Sequence, residues 1–280
     1  MGAEEAAPCR HAGVPPQTVV DSVIRLIRDL GSDDGNLLRY GLSAAEYRTA
    51  FPVAIEAIRG SMSASNQARR DFLEGLFLAM ARNGDLSDIQ LPVYGEDTVY
   101  RLSVPDFGDV AVIQKGCPDG AHSSVRWSAP IWARETYLWW VCDSTRVEPG
   151  VHINGGINRL RKRFFSDAPD TIDGVIFHSS LCGTAGRICP KPAAGLQVAG
   201  ATIPPPCVYI MPERRDGASE WNWEGRRQRH FPGVLLKAFG VAAESTASYT
   251  GHVGFQLTSR AVRTTIAARY GPGRSTIFRS

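Results

Sequence analysis

Hydrophobic positions change period once along the chain, dividing it into a helical first part and a strand-rich second part. Residues 17–30 (QTVVDSVIRLIRDL) place Val20, Val23, Ile24 and Ile27 on one face of an amphipathic helix that Gly31 stops. Ser43 caps a second helix, SAAEYRTAFPVAIEAIRG, which Pro52 kinks or breaks. Ser63 or Ser65 caps a third, NQARRDFLEGLFLAMARNG. There Phe72, Leu76 and Met80 form a stripe beside Leu73 and Phe77, and Asn83-Gly84 ends the helix.

The alternation then becomes that of strands. Thr98–Val104 alternates, Pro105-Asp106-Phe107-Gly108 turns, and Asp109–Gln114 completes a hairpin. After a polar loop comes Glu135–Thr145, whose core YLWWVC is a continuous apolar run of the kind found in central buried strands. Beyond Pro149-Gly150, residues 152–165 form a helix with Ile153, Ile157, Leu160 and Phe164 inward, and Asp173–His178 is a further strand. The rest is rich in loops. It holds a short strand at CVYIM, a helix near 226–239 interrupted by Pro232-Gly233, and a closing hairpin built from GHVGFQLTS and AVRTTIAARY. This order predicts an α/β (α+β) architecture: a central mixed sheet flanked by helices. The predicted organisation is a disordered leader (1–16), a helical region (17–62), a core (63–180) and a basic, loop-rich region (181–280) in the same compact unit.

Composition narrows the class. Hydrophobic residues make up 43% and charged residues 21%, as in ordinary globular proteins. No apolar stretch approaches a membrane span, and the acidic N-terminus lacks the apolar segment of a secretory signal. A cytoplasmic protein with reduced thiols is therefore expected, the six cysteines being too few for a disulfide scaffold of this length. The net charge of +3 is unevenly placed. Residues 146–280 carry 18 Lys+Arg against 9 Asp+Glu, whereas residues 1–145 carry 13 against 19. The basic half suits an anionic partner or a solvated basic surface. Arg159, Lys162 and Arg163 lie off the apolar face of their helix. Arg226, Arg227 and Arg229 are interleaved near Trp221 and Trp223, a pattern that suits phosphate contact and base stacking.

Metal-dependent phosphodiester cleavage needs carboxylates around a divalent cation and a cation near the scissile phosphate. Glu74, or Asp71 one turn earlier, is on the third helix; Asp109 opens a strand; Asp143 follows the buried run. Asp143 leaves an apolar strand and needs a partner or a metal to offset its desolvation. Asp109 reads equally as a turn residue, and Glu74 as a solvent-facing one. A second constellation, His178, Cys182, Cys189 and Cys207, has the ligand chemistry of a structural zinc site but no C-x2-C pair. Glycine-rich nucleotide loops are absent: Gly155-Gly156 fits neither a dinucleotide nor a Walker pattern.

Over residues 63–180 the chain resembles the PD-(D/E)XK nuclease superfamily, and within it type II restriction endonucleases. NQARRDFLEGLF is similar to the helix that contributes an extra acid, GDVAVI to the strand bearing the Asp, and LWWVCDST to the third strand. The sequence departs from the family at Asp143-Ser144-Thr145, where a Lys is expected in place of Thr145. Lys115 is the nearest replacement. The resemblance implies a Mg²⁺-dependent endonuclease acting on double-stranded DNA, a homodimer if its target is palindromic. Asp109 and Asp143 would hold the metal, Glu74 would assist, and Lys115 would face the phosphate. The alternative is a non-catalytic nucleic-acid-binding protein, with zinc on the Cys/His loops.

Overall fold

The computed structural model describes residues 25, 29–30, 34–51, 66–92, 98–115, 127–142, 149–165, 172–179, 194–198, 200–213, 217–221, 228–268 and 275–279. The chain divides into two compact units. One is Gly13–Arg69, and the other is Arg70–Ser280 with the first twelve residues. Most of the helix expected at 17–30, the effect of Pro52 and the caps at Ser63 and Ser65 lie outside the described residues.

In the first unit, α1 (Asp34–Arg39) is followed by a helical stretch at residues 44–51. Ser43 opens that stretch as expected. The Glu46 amide donates to Ser43 Oγ at 3.2 Å, and Glu46 Oε2 accepts from the Ser43 amide at 2.8 Å, a reciprocal cap.

The second unit is built on one mixed sheet. Its path is β1 (Asp88–Gln90), β2 (Val99–Val104), β3 (Gly108–Lys115), β4 (Glu135–Cys142), β5 (Gly174–Ser179), β8 (Cys207–Ile210), β10 (Thr250–Leu257), β11 (Val262–Ala268) and β12 (Ser275–Arg279). The short β9 (Glu220–Trp221) pairs with β10, and β6 (Leu196–Val198) and β7 (Ala201–Ile203) form a separate hairpin. The expected α/β class with a mixed sheet between helices is observed.

The helices are α2 (Asn66–Arg82), α3 (Pro149–Phe164) and α4 (Phe231–Ala238). On α2, Leu73, Leu76, Phe77 and Met80 are fully buried, and Gly84 adopts φ +79° just past its end. β2 alternates as its sequence does, and a turn with Asp106 at φ 59° and Gly108 at φ 114° returns the chain into β3. β3, β4 and β5 run parallel: Val110 pairs with Glu135, Lys115 with Trp140, and Cys142 with Ser179. With a neighbour on each side and a layer on each face, β4 has no solvent-facing positions along Glu135–Trp140, which explains its unbroken apolar run.

Each face of the sheet has its own core. On one, Val110, Val112, Tyr137, Trp139 and Ile176 pack against α2 and α4. On the other, Ile113, Leu138, Trp140 and Val175 pack against Ile157 and Leu160 of α3. Arg161 ties α3 to β11, donating to Val262 O at 2.9 Å and Thr264 Oγ1 at 3.2 Å.

One local expectation is corrected. Pro232-Gly233 does not interrupt a helix; α4 begins at Phe231 with the proline in its first turn, where no intrahelical acceptor is available for an N–H. The free amides of His230 and Phe231 donate instead to Glu135, at 2.7 and 3.0 Å.

Candidate functional site

Because β3, β4 and β5 are parallel, the site residues fall at two opposite edges of the sheet. At the N-terminal edge the acids are engaged internally. Asp109 accepts from Arg101 and, at 2.7 Å, from Ser103 Oγ. The Arg101 hydrogen bonds, with help from Ser103, hold its carboxyl below the usual aspartate range. Arg101 also stacks over Trp132. Glu135 is buried and accepts from Tyr137 OH at 2.8 Å as well as from the two amides of α4. Asp173 accepts from the Thr136 amide at 2.6 Å and pairs with Arg229 at 2.8 Å, while burial pushes its pKa up.

This edge corrects two expectations. Asp109 does not stand beside Lys115: they are six positions apart along an extended strand, about 20 Å at the β rise. Both cannot contact one scissile phosphate. Arg229 is not an open phosphate contact, since it is 11% exposed and ion-paired to both Asp173 and Glu213.

The C-terminal edge collects different groups. Lys115 ends β3, half-buried, two residues short of the level of Cys142. Asp143 lies outside the described residues. On the α2 side of this edge, Gln114 is 7% exposed and accepts from Tyr100 OH at 3.0 Å. Burial first, and then the Glu74 carboxylate, pushes the Tyr100 pKa well up; Arg70 and Asp71 also act on it. Glu74, Asp71, Tyr100 and Gln114 therefore belong to one neighbourhood near the end of β3. Ligand sites in open sheets form outside the carboxyl ends of parallel strands, so this edge is the stronger candidate. The engagement of Gln114 by Tyr100 was not anticipated from the sequence, although a glutamine ending an apolar strand marks a buried polar group that needs a partner.

The zinc set does not assemble through its described members. His178 packs against Phe72, Trp139 and Phe239, on the α2 and α4 face. Cys207 packs with the other core, opposite Phe177 in register. The two side chains point to opposite faces of the sheet and cannot share an ion. Cys182 and Cys189 lie outside the described residues. Among the described residues there is no group of three or more His, Cys, Asp or Glu arranged to hold a metal.

The basic and aromatic surface is smaller than the sequence suggests. Trp221 is not a stacking platform: it is 8% exposed and packs against Phe164, Phe165 and Phe255. Arg159 is half-buried and already engaged within the protein. Lys162 and Arg163 are on α3, but their side chains lie outside the described set, as do Trp223, Arg226 and Arg227. Among the described residues, no helix is long and apolar enough to cross a membrane.

Fold and edge together define a mixed α/β protein with a polar, carboxylate- and lysine-bearing margin at the ends of three parallel strands. No protein-family model, curated protein or solved structure matches the chain.

Proposed function

We propose that the protein is a restriction-type endonuclease acting on double-stranded DNA, with its reaction edge at the carboxyl ends of β3, β4 and β5. The observation that carries the reading is that Asp71 and Glu74 lie near Tyr100 and Gln114 on the α2 side of this edge, where β4 also runs out toward Asp143. Asp109 is left out of this site, because its carboxylate is held by Arg101 and Ser103 at the other edge. Asp71 and Glu74 are the described carboxylates suited to a divalent cation, and Asp143 is the acid the reading adds to them. When bound, Mg²⁺ would polarise a phosphoryl oxygen and lower the pKa of a bound water. Lys115 ends β3 on the α3 side of the same edge, and in this reading it supplies positive charge to the phosphate from that side, opposite the carboxylates. A homodimer would match a palindromic target.

Cleavage of plasmid DNA with Mg²⁺ tests the proposal. Glu74→Gln, Lys115→Ala and Asp143→Asn are each expected to lower the rate at least about 100-fold, and Asp109→Asn to leave it near wild type. Full activity in Lys115→Ala and Asp143→Asn would remove the site. The engagement of Asp109 with Arg101 favours a second reading, a non-catalytic DNA-binding protein. That reading predicts salt-dependent binding with no cleavage under any divalent cation.

A further inference from the structure

Arg229 fastens the entry of α4 to the N-terminal edge of the sheet. Its guanidinium pairs with Asp173 Oδ1 at 2.8 Å and donates to Glu213 Oε1 at 3.2 Å. Asp173 stands just before β5, Glu213 follows β8, and Arg229 precedes α4. The second oxygen of Asp173 reaches β4, where it accepts from the Thr136 amide at 2.6 Å. The next two amides after Arg229, those of His230 and Phe231, donate to Glu135 at the start of β4. The arginine side chain is 11% exposed, Asp173 18% and Glu213 41%. The buried carboxylate therefore supplies most of the counter-charge, because water screens the Glu213 pair. Arg229 Nε is buried without an acceptor among the described residues, so the guanidinium is held through its two terminal nitrogens.

The surroundings of Asp173 oppose its ionised form. Burial is the larger cause, and Glu135 on β4 and Glu213 after β8 add repulsion; Arg229 and the Thr136 amide act the other way. Tyr137 on β4 stays protonated, since burial and Glu135 raise its pKa. His230, the other titratable side chain of the entry segment, stacks on Phe107, over which Arg134 also lies. A carboxylate whose folded pKa lies above its ordinary 3.8 takes up its proton while the chain is folded, without loss of global stability. The neutral carboxyl can still accept from the Thr136 amide, but it no longer balances Arg229. A buried guanidinium left with one half-exposed partner is driven toward water.

We infer that Asp173 and Arg229 form an acid-sensitive clamp: proton uptake at Asp173 frees Arg229 and lets residues 229–231, the entry of α4, open from the ends of β4 and β5 while the sheet stays folded. The inference is independent of the reaction proposed above, which lies at the other edge. Hydrogen exchange of the full chain, compared as protection factors at about pH 7 and about pH 4, tests it. Protection of the His230 and Phe231 amides is expected to fall about tenfold at the acid pH, and that of Leu138 and Trp139 on β4 to fall less. Asp173→Asn should show the low protection at both pH values, and His230→Gln should keep the step. A carbon-13 titration of the Asp173 carboxyl in the wild type needs no variant and should give a pKa above 3.8. The clamp is overturned by a carboxyl that titrates at or below that value, by an equal loss of protection on β4, by a step that survives Asp173→Asn, or by one that vanishes in His230→Gln.

Discussion

Gly155 and Gly156, adjacent in the middle of α3, offer an internally controlled test of how the sheet packs. In a helix interior, Gly→Ala stabilises by about 0.8–1 kcal/mol through propensity alone. At exposed Gly155 nothing lies within 4 Å of an added Cβ, so Gly155→Ala should gain that amount. At buried Gly156 the same Cβ would sit 2.5 and 2.6 Å from two ring carbons of Trp140. Trp140 is fully buried on β4 between β3 and β5, so the indole cannot swing away without disturbing that core. Overpacking of this kind costs about 1–3 kcal/mol, which cancels or exceeds the propensity gain.

The two alanine variants should therefore differ by about 1–3 kcal/mol although they differ by one position. Urea unfolding followed by tryptophan fluorescence reads this directly. With a slope of about 3 kcal/mol/M, the midpoint of Gly155→Ala should rise by ~0.3 M. That of Gly156→Ala should lie roughly 0.3–1 M below it at unchanged slope. In a double-mutant cycle, Gly156→Ala should cost less in a Trp140→Leu background than in the wild type, since the ring that the methyl meets is gone. Equal midpoints for the two alanine variants would refute the contact and, with it, the docking of α3 on β4.

Two further predictions address the N-terminal edge. Glu135→Ala leaves the amides of His230 and Phe231 and the Tyr137 hydroxyl without their acceptor; it should cost on the order of 3 kcal/mol in urea unfolding, with Glu135→Gln costing less, and a loss under ~1 kcal/mol would contradict the cap on α4. Asp109 has a folded-state pKa below its ordinary value of 3.8, so its ionised form stabilises the fold above that value, and the contribution is lost as the pH falls through the folded pKa. The stability difference between wild type and Asp109→Asn should thus be greatest near neutral pH and shrink below pH 3.8, and it should be unaffected by EDTA; a difference independent of pH, or abolished by chelation, would place the carboxylate in another role.

The fold was legible wherever one side chain in two, or one face in three, had to be apolar. The stripe of α2, the alternation of β2 and the run of β4 each state their burial in residue types, because a packed layer admits little else. Strand direction left no such mark. Either orientation of β4 beside β3 buries the same YLWW residues. The long connection between Lys115 and Glu135 accommodates the crossover that a parallel pair requires. The β6–β7 hairpin escaped because its strands are three residues each, too short for a period to register.

That silence about direction is what misplaced Asp109. Residue type and element order bring an acid to the start of one strand and another past the end of the next. In a parallel pair, these positions are at opposite edges. Charge counting failed for a related reason. The excess of Lys and Arg after residue 145 describes composition, but Arg229 is committed to Asp173 and Glu213, and Arg161 to Val262 and Thr264. A cation that completes a buried network is not available to a phosphate, since breaking the pair would strand a desolvated charge.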